Sequence, residues 1–180
     1  MNVTDPEEYT DESTPAKNEG ESKSNSYSTK AFNIDYTKVY APYVRIASKR
    51  TGKKGDTVIT YDIRLCQPNF ECMDTDEMHT LSHLMSEILH ASFDNIIDIY
   101  PMGSRTGFYL TMFEGVSEET IAKVMIDVMQ KIATWNGPVP RVSKELCGNF
   151  QDHELIKAKK RAMMFIGGIM SKGYMAAEGM

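Results

Sequence analysis

The sequence has no long apolar run, few cysteines and no excess of positive charge, and each shortage excludes a class of protein. No stretch reaches the roughly 18 consecutive apolar residues that a membrane-spanning helix needs. The three cysteines (Cys66, Cys72 and Cys147) are too few for a disulfide framework. A net charge of −5 argues against nucleic acid as the main partner, because that partner requires a basic face. Met1 to Thr14 is polar and has no apolar core of an export signal, so we expect a protein of the reducing cytoplasm with no membrane partner.

The first 30 residues differ in composition from the remainder of the chain. They hold seven acidic residues and three lysines, which account for −4 of the net charge of −5. Met1 and Val3 are their only large aliphatic residues. Such a segment cannot bury enough apolar surface to offset the entropy lost on ordering. We therefore expect a disordered tail over residues 1–30, which either keeps the protein soluble or binds a partner, and one folded domain over residues 31–180.

Within the domain, strand-like and helix-like patterns are separated by turn signals. Alternating and β-branched residues predict strands at 43–47, 57–65, 96–100 and 108–113. Gly52 and Gly55 mark the turn at 49–55 between the first two strands. Apolar residues at steps of three and four predict helices at 75–90, 118–134 and 152–170. The order predicts an α+β fold: an antiparallel β-sheet with helices packed on one face.

Two histidines on the first predicted helix form the strongest candidate for a chemical site. His79 and His83 are four residues apart, so both imidazoles project from one face within reach of a shared metal ion. The alternative is a pair of surface histidines with no ligand. A catalytic metal site of this kind needs a third protein ligand, and Cys147 is the best candidate, although it could equally be a buried and inert thiol. We expect no site role for His90 or His153.

Several segments resemble, in order along the chain, those of the S-ribosylhomocysteine lyase (LuxS) family. The run His79-Thr80-Leu81-Ser82-His83-Leu84 resembles that family's HTLEHL signature. Further similar segments are DYTKVYAPYVR at 35–45, KGDT at 54–57, YDIR at 61–64, IIDIYPMGSRTGFY at 96–109 and LCG at 146–148. Six ordered motifs are more specific than one. The resemblance extends from Phe32 to the last helix.

The resemblance implies a small α+β enzyme that is a homodimer with two metal sites at the subunit interface. Such enzymes cleave the thioether of S-ribosylhomocysteine to homocysteine and 4,5-dihydroxy-2,3-pentanedione, the precursor of autoinducer-2. It also implies one divalent transition metal per chain, natively Fe²⁺ and often Zn²⁺ or Co²⁺, with His79, His83 and Cys147 as ligands. The residues that it implies for substrate binding are Phe32, Arg64, Asp98 and Gly103.

The chain departs from the family pattern at the positions that move protons. Ser82 stands where the family has a glutamate that acts as general base and acid, and Ser104 stands where it has a cysteine. A serine hydroxyl is a poor base near neutral pH unless a neighbouring group activates it. Tyr36 replaces a family histidine, and Ala31 replaces a family serine.

Because the family's metal ligands are retained and its proton-transfer residues are altered, three hypotheses about the function remain. The first is an S-ribosylhomocysteine lyase that uses water or other groups to move protons. The second is a metal-binding pseudoenzyme that binds the ligand or an active partner. The third is a metal-dependent isomerase that stops at the first ketose. Release of homocysteine from S-ribosylhomocysteine distinguishes the first hypothesis from the other two.

Overall fold

The computed structural model describes residues 34–176, which contain four strands and three helices. The elements are β1 (Tyr43–Thr51), β2 (Thr57–Arg64), α1 (Thr75–His90), β3 (Ile96–Pro101), β4 (Gly107–Phe113), α2 (Glu118–Ala133) and α3 (Leu155–Lys172). The predicted tail at 1–30 and Phe32 lie outside the described residues. Over the described range, no helix combines the length and the apolar character that crossing a bilayer requires.

The four strands form one antiparallel sheet in the order β1-β2-β4-β3, which confirms the α+β prediction. Alternate residues of the central strands enter the hydrophobic core. In β2 these are Ile59, Tyr61 and Ile63. Their partners on β4 are Met112, Leu110 and Phe108. Because side chains alternate between the faces of a sheet, the residues between them project from the opposite face, called here the outer face.

The predicted hairpin of β1 and β2 is confirmed, but its first strand is longer than predicted. β1 continues to Thr51, which pairs with Thr57, so residues 49–51 belong to the strand and not to the turn. The turn signals of Gly52 and Gly55 lie directly after this point. Cross-strand pairing with β2 resumes after a register shift between Ile46 and Ser48 and extends β1 further than its local sequence indicated.

The helices begin where side chains replace the missing backbone partners of the first turn. α1 has the predicted bounds, and the Glu77 carboxylate accepts a hydrogen bond from the Asp74 backbone at 3.4 Å. Ser117 caps α2 by accepting a hydrogen bond from the Thr120 backbone at 3.2 Å. α2 ends at Ala133, one residue before the predicted end.

α3 begins at Leu155, three residues later than predicted, because the preceding residues are bound to α1. The Glu154 backbone N–H donates to the Thr80 hydroxyl at 2.9 Å. The two helices are also joined by a buried ion pair in which Arg161 Nε donates to Glu77 Oε1 at 2.6 Å. These contacts fix the segment before α3 against the face of α1 that carries the histidines.

Candidate metal centre

Helix α1 presents His79 and His83 one turn apart on a single face, as the spacing predicts. Their ring centroids are 4.8 Å apart and the rings are nearly perpendicular. Both side chains are half-buried, so they are shielded from bulk water without being inaccessible. The face that they share points toward the connection between α2 and α3, which supplies the other members of the site.

Cys147 comes from that connection and closes over the two histidines. Its Sγ lies 3.5 Å from His79 Nε2 and 3.9 Å from His83 Nε2. A hydrogen bond from the Cys147 backbone N–H to the Ser143 carbonyl, at 3.0 Å, shapes the turn that positions the thiol. The side chain is buried, at 8% exposure.

The structure corrects the expectation that His153 has no part in the site. Its Nε2 lies 3.6 Å from Cys147 Sγ, and its ring stacks on that of His79 with centroids 4.0 Å apart. The ligand atoms of His79, His83, Cys147 and His153 all lie within 4.8 Å of one another. These four residues are called here the metal cluster. The short separation of Cys147 and His153 along the chain was the signal that could have revealed the fourth member.

The histidines of the metal cluster are held by hydrogen bonds at their outward nitrogens. His79 Nδ1 lies 3.1 Å from the Asp152 carbonyl oxygen, and His83 Nδ1 lies 2.9 Å from that of Pro140. Because a carbonyl oxygen can only accept, each Nδ1 carries the proton and each Nε2 presents a lone pair to the cluster. Burial, His79 and His83 together lower the pKa of His153 to about 4.

This arrangement fits a divalent transition metal. Imidazole nitrogen and thiolate sulfur suit Zn²⁺ and other late first-row ions. Histidines that bind such ions usually donate their other ring N–H to a group such as a backbone carbonyl, as His79 and His83 do here. The other two cysteines lie outside the cluster. Burial raises the pKa of the Cys66 thiol to about 12, and Cys72 is exposed.

Arg64 and Ser104, by contrast, belong to a second polar group at the outer face of the sheet. Asp62 accepts two hydrogen bonds from the Arg64 guanidinium, at 3.1 and 2.8 Å. Arg64 Nη1 also donates to Thr106 Oγ1 at 2.5 Å, and Thr106 Oγ1 lies 2.8 Å from Ser104 Oγ. Asp62, Arg64, Thr106 and Ser104 are called here the outer-face network.

Three members of the outer-face network are buried, whereas Ser104 is exposed. Arg64 is 2% exposed and Asp62 is not exposed. Burial disfavours the charged guanidinium, but the hydrogen bonds and charge of Asp62 prevail and raise the pKa of Arg64. The Arg64 guanidinium carbon also lies 5.2 Å from the ring centre of Tyr36.

The β3–β4 turn, which carries Gly103 and Ser104, is held closely against β2. A Cβ at Gly107, where β4 begins, would collide with the backbone oxygen of Ile63, so only glycine permits this approach. Gly103 is exposed. Asp98, on β3, is also exposed and accepts a hydrogen bond from the Ile99 backbone at 2.8 Å. Asp98 lines an outer-face cleft of about 580 Å³ together with Tyr100 and Tyr109.

Ser82 occupies a third place, next to the metal cluster on α1. Its hydroxyl donates to the Met78 carbonyl at 3.0 Å. Together with His83, Ser82 lines a cleft of about 680 Å³. The same cleft is lined by Ser86, Glu87, His90 and Arg141. Glu87 and Arg141, which form an exposed ion pair at 3.4 Å, give this cleft both signs of charge and were not identified from the sequence.

Comparisons with known proteins identify a family to which this chain is similar over most of its length. The family model described as S-Ribosylhomocysteinase (LuxS) matches residues 29–174. The S-ribosylhomocysteine lyase of Leuconostoc citreum (strain KM20) is 41% identical over 146 residues, covering 80% of this chain and 92% of that protein. The protein of that name from Deinococcus deserti is 41% identical over 132 residues, covering 73% and 85%. The one from Streptococcus pyogenes serotype M5 (strain Manfredo) is 42% identical over 139 residues, covering 76% and 86%.

Proposed function

This chain belongs to the S-ribosylhomocysteinase (LuxS) family, and from that membership we propose that it is an S-ribosylhomocysteine lyase. The reaction is cleavage of a carbon–sulfur bond that yields homocysteine and 4,5-dihydroxy-2,3-pentanedione, the precursor of autoinducer-2. We further propose that the enzyme acts in the cytoplasm and serves quorum sensing, without a nucleic-acid or membrane partner.

The observation that carries the proposal is the metal cluster. It brings His79, His83 and Cys147, the ligands that the resemblance implies, together with His153. His79, His83 and Cys147 would hold one divalent ion per chain, with Fe²⁺ as the expected metal and Zn²⁺ or Co²⁺ as substitutes. When bound, this ion supplies a Lewis acid that polarises an oxygen of the sugar next to the carbon that loses a proton.

The proton transfers fall to Ser82 and Ser104 at the positions of the family's glutamate and cysteine. Each hydroxyl is engaged with a neighbour, Ser82 with the Met78 carbonyl and Ser104 with Thr106. Among residues 34–176, neither hydroxyl is hydrogen-bonded to an imidazole or a carboxylate that could activate it. We therefore propose a slow lyase in which water assists these two hydroxyls.

We propose that Arg64, Asp98 and Gly103 bind the substrate, together with Phe32 from outside the described range. Arg64 is held rigidly by Asp62 and Thr106, which suits a group that orients a hydroxyl-rich sugar. Asp98 and Gly103 are exposed near the same edge of the sheet and can receive a ligand without rearrangement.

We also propose that the working unit is a homodimer. The metal cluster lies among the helices, whereas Arg64, which is 2% exposed, lies at the outer face of the sheet, so the two polar groups of one copy are on different sides of the sheet. We propose that a second copy docks on the outer face. Large apolar side chains are exposed there, including Ile97 at 42% and Tyr100 at 41%.

The proposed function is tested by supplying purified, metal-loaded protein with S-ribosylhomocysteine and measuring homocysteine by mass spectrometry. We expect homocysteine from the wild-type chain and from Cys72→Ser, a matched cysteine variant outside the cluster, but none from Cys147→Ser. Accumulation of a ketose isomer without homocysteine would support the isomerase hypothesis instead. Substrate binding with no turnover would support the pseudoenzyme hypothesis.

A further inference from the structure

Thr106 lies between the two residues of the outer-face network to which the proposed function assigns chemistry. Its hydroxyl oxygen accepts a hydrogen bond from Arg64 Nη1 at 2.5 Å and lies 2.8 Å from Ser104 Oγ. Thr106 is 4% exposed, whereas Ser104 is exposed to solvent. A single buried hydroxyl thus connects a buried guanidinium to an exposed hydroxyl. Arg64, Thr106 and Ser104 are called here the hydroxyl relay.

The hydrogen bonds of Thr106 determine the direction of the hydroxyl relay. A guanidinium has no acceptor atom, so Arg64 donates and a lone pair of Thr106 Oγ1 accepts. Among the hydrogen bonds of residues 34–176, the hydrogen of the Thr106 hydroxyl has Ser104 Oγ as its acceptor. If Ser104 donated to Thr106 instead, that buried hydrogen would be left without a partner, and an unpaired buried donor is costly. The direction is therefore from Arg64 through Thr106 to Ser104.

This direction leaves Ser104 as a proton donor. Its oxygen accepts from Thr106, and its own hydrogen remains available to a ligand at the exposed turn. Because Thr106 accepts from a cation, its O–H is polarised and donates more strongly. We propose that Thr106 is a positioning residue that transmits the charge of Arg64 to Ser104, so that Ser104 donates a proton to a substrate oxygen, an inference that rests on the proposed function.

The proton transfer from Ser104 leaves an electron pair on its Oγ atom. The hydrogen bond from Thr106 stabilises that negative charge, and the charge of Arg64 strengthens the hydrogen bond. Water then returns a proton to Ser104, in agreement with the exposure of this side chain.

The turn that carries the hydroxyl relay is fixed by its neighbours. Arg105 has a φ of 57°, in the left-handed region that residues with a side chain rarely adopt. Its carbonyl accepts from the Met73 backbone N–H at 2.8 Å, and its Nη1 donates to the Met73 carbonyl at 3.2 Å. The Thr106 carbonyl accepts from the backbone N–H groups of Leu65 and Cys66 at 2.9 and 3.0 Å. The relay is therefore in place before a ligand binds.

Within residues 34–176, the ionisable groups that contact the hydroxyl relay offer no free carboxylate or imidazole. The Asp62 carboxylate is occupied, since it accepts from Arg64 at 2.8 Å and from Arg45 at 3.1 Å. The ring centres of Tyr36 and Tyr43 lie 5.2 and 5.7 Å from the Arg64 guanidinium carbon. Burial raises the pKa of Tyr43 to about 12, so its phenol stays protonated near neutral pH. These surroundings favour proton donation by Ser104 over removal of its proton.

The test uses a thiol as a reporter, introduced into the full-length chain by Ser104→Cys. A thiol reacts with iodoacetamide as its thiolate, so the pH midpoint of alkylation measures how well the surroundings stabilise a negative charge at position 104. Peptide mass spectrometry distinguishes this thiol from the native cysteines. We expect the midpoint to rise by about one pH unit when Thr106→Val is added, because the donor to the thiolate is lost.

Two matched variants control for the loss of a threonine. Thr106→Ser keeps the hydroxyl and should keep the low midpoint. Thr111→Val removes a half-buried hydroxyl of the same strand, one that lies 3.0 Å from Thr60 Oγ1, and should leave the midpoint unchanged. Equal midpoints with and without Thr106→Val would overturn the proposal.

A comparison within one molecule decides the matter even if Thr106→Val does not fold. In the Ser104→Cys variant alone, we expect the thiol at position 104 to be alkylated at a lower pH than the exposed Cys72. An equal or higher midpoint at position 104 would refute the relay.

None of these measurements requires turnover, so they are independent of the proposed function. Homocysteine release by the wild-type chain, combined with equal midpoints, would preserve the proposed function and refute the relay. A midpoint that rises with Thr106→Val, in a protein whose wild-type chain releases no homocysteine, would do the reverse.

Discussion

The metal cluster and the outer-face network are both groups of polar side chains in a small α+β domain, yet they differ in whether they contain side chains of opposite charge. The cluster gathers four side chains whose possible ligand atoms all lie within 4.8 Å of one another. The outer-face network already contains opposite charges, since the Asp62 carboxylate accepts from Arg64 at 2.8 Å and from Arg45 at 3.1 Å. The difference indicates that the cluster is built to receive an ion, whereas the network is built to hold a fixed positive group in place.

The largest effect is expected when the cluster loses its sulfur. Cys147→Ala removes the one anionic ligand, so metal affinity should fall by at least about 100-fold, together with lyase activity. Elemental analysis after dialysis measures the loss. Cys72→Ala, a change at an exposed cysteine outside the cluster, should retain full metal content. Full occupancy in a His79→Ala/Cys147→Ala double variant would refute the ligand assignment.

The next largest effect concerns proton transfer rather than metal binding. Restoring a carboxylate and a thiol with Ser82→Glu and Ser104→Cys should raise homocysteine release by about 10² to 10⁴, the usual contribution of general acid–base catalysis. The two groups act in one relay, so each single change should do much less than the pair. Metal content should not change. If the unmodified enzyme already turns over about once per second or faster, the serines are not defects.

A smaller effect is expected from breaking the outer-face network. Arg64→Leu leaves the buried Asp62 carboxylate with less compensation, and a broken buried pair costs about 3 to 5 kcal/mol of unfolding free energy. Denaturant unfolding measures this cost. The matched control is Lys49→Leu on the exposed part of β1, for which we expect little change. Metal content should stay normal in both variants, and its loss in Arg64→Leu would show that the two regions are not separate.

The smallest effect is expected from removing residues 1–30. Their composition cannot support packing, so the truncated chain should keep its oligomeric state, its metal content and a melting temperature within about 2 °C of the full chain. Light scattering measures the oligomeric state, elemental analysis the metal content and thermal unfolding the melting temperature. A monomeric or unfolded product would show that the tail is structural.

Local sequence signals predicted a helix well where the contacts that bound the helix are themselves local. The bounds of α1 agree with prediction because the Asp74–Glu77 capping pattern and the apolar spacing both belong to the helix and its N-cap. The start of α3 was misplaced because Glu154 donates its N–H to Thr80, a residue 74 positions earlier. No local pattern contains such a contact.

The same limit explains which parts of the site could be anticipated. The His79–His83 pair is a matter of helical spacing and is visible in the sequence. His153 gains its position from Thr80 and Cys147, which only the fold brings together. The burial of Arg64 was likewise hidden, since a charged residue on a strand indicates exposure until a partner such as Asp62 is found beside it.

The contact between His79 on α1 and the distant Cys147 also has a consequence for the unfolded chain. His79 and Cys147 are 68 positions apart, so an ion that joins them closes a loop comparable in length to half of the described domain. Treated like a covalent cross-link, a loop of that length removes about 4 kcal/mol worth of chain entropy from the unfolded ensemble. The metal would therefore act as a reversible cross-link between the two halves of the chain. Removal of the ion would remove this constraint on the unfolded ensemble.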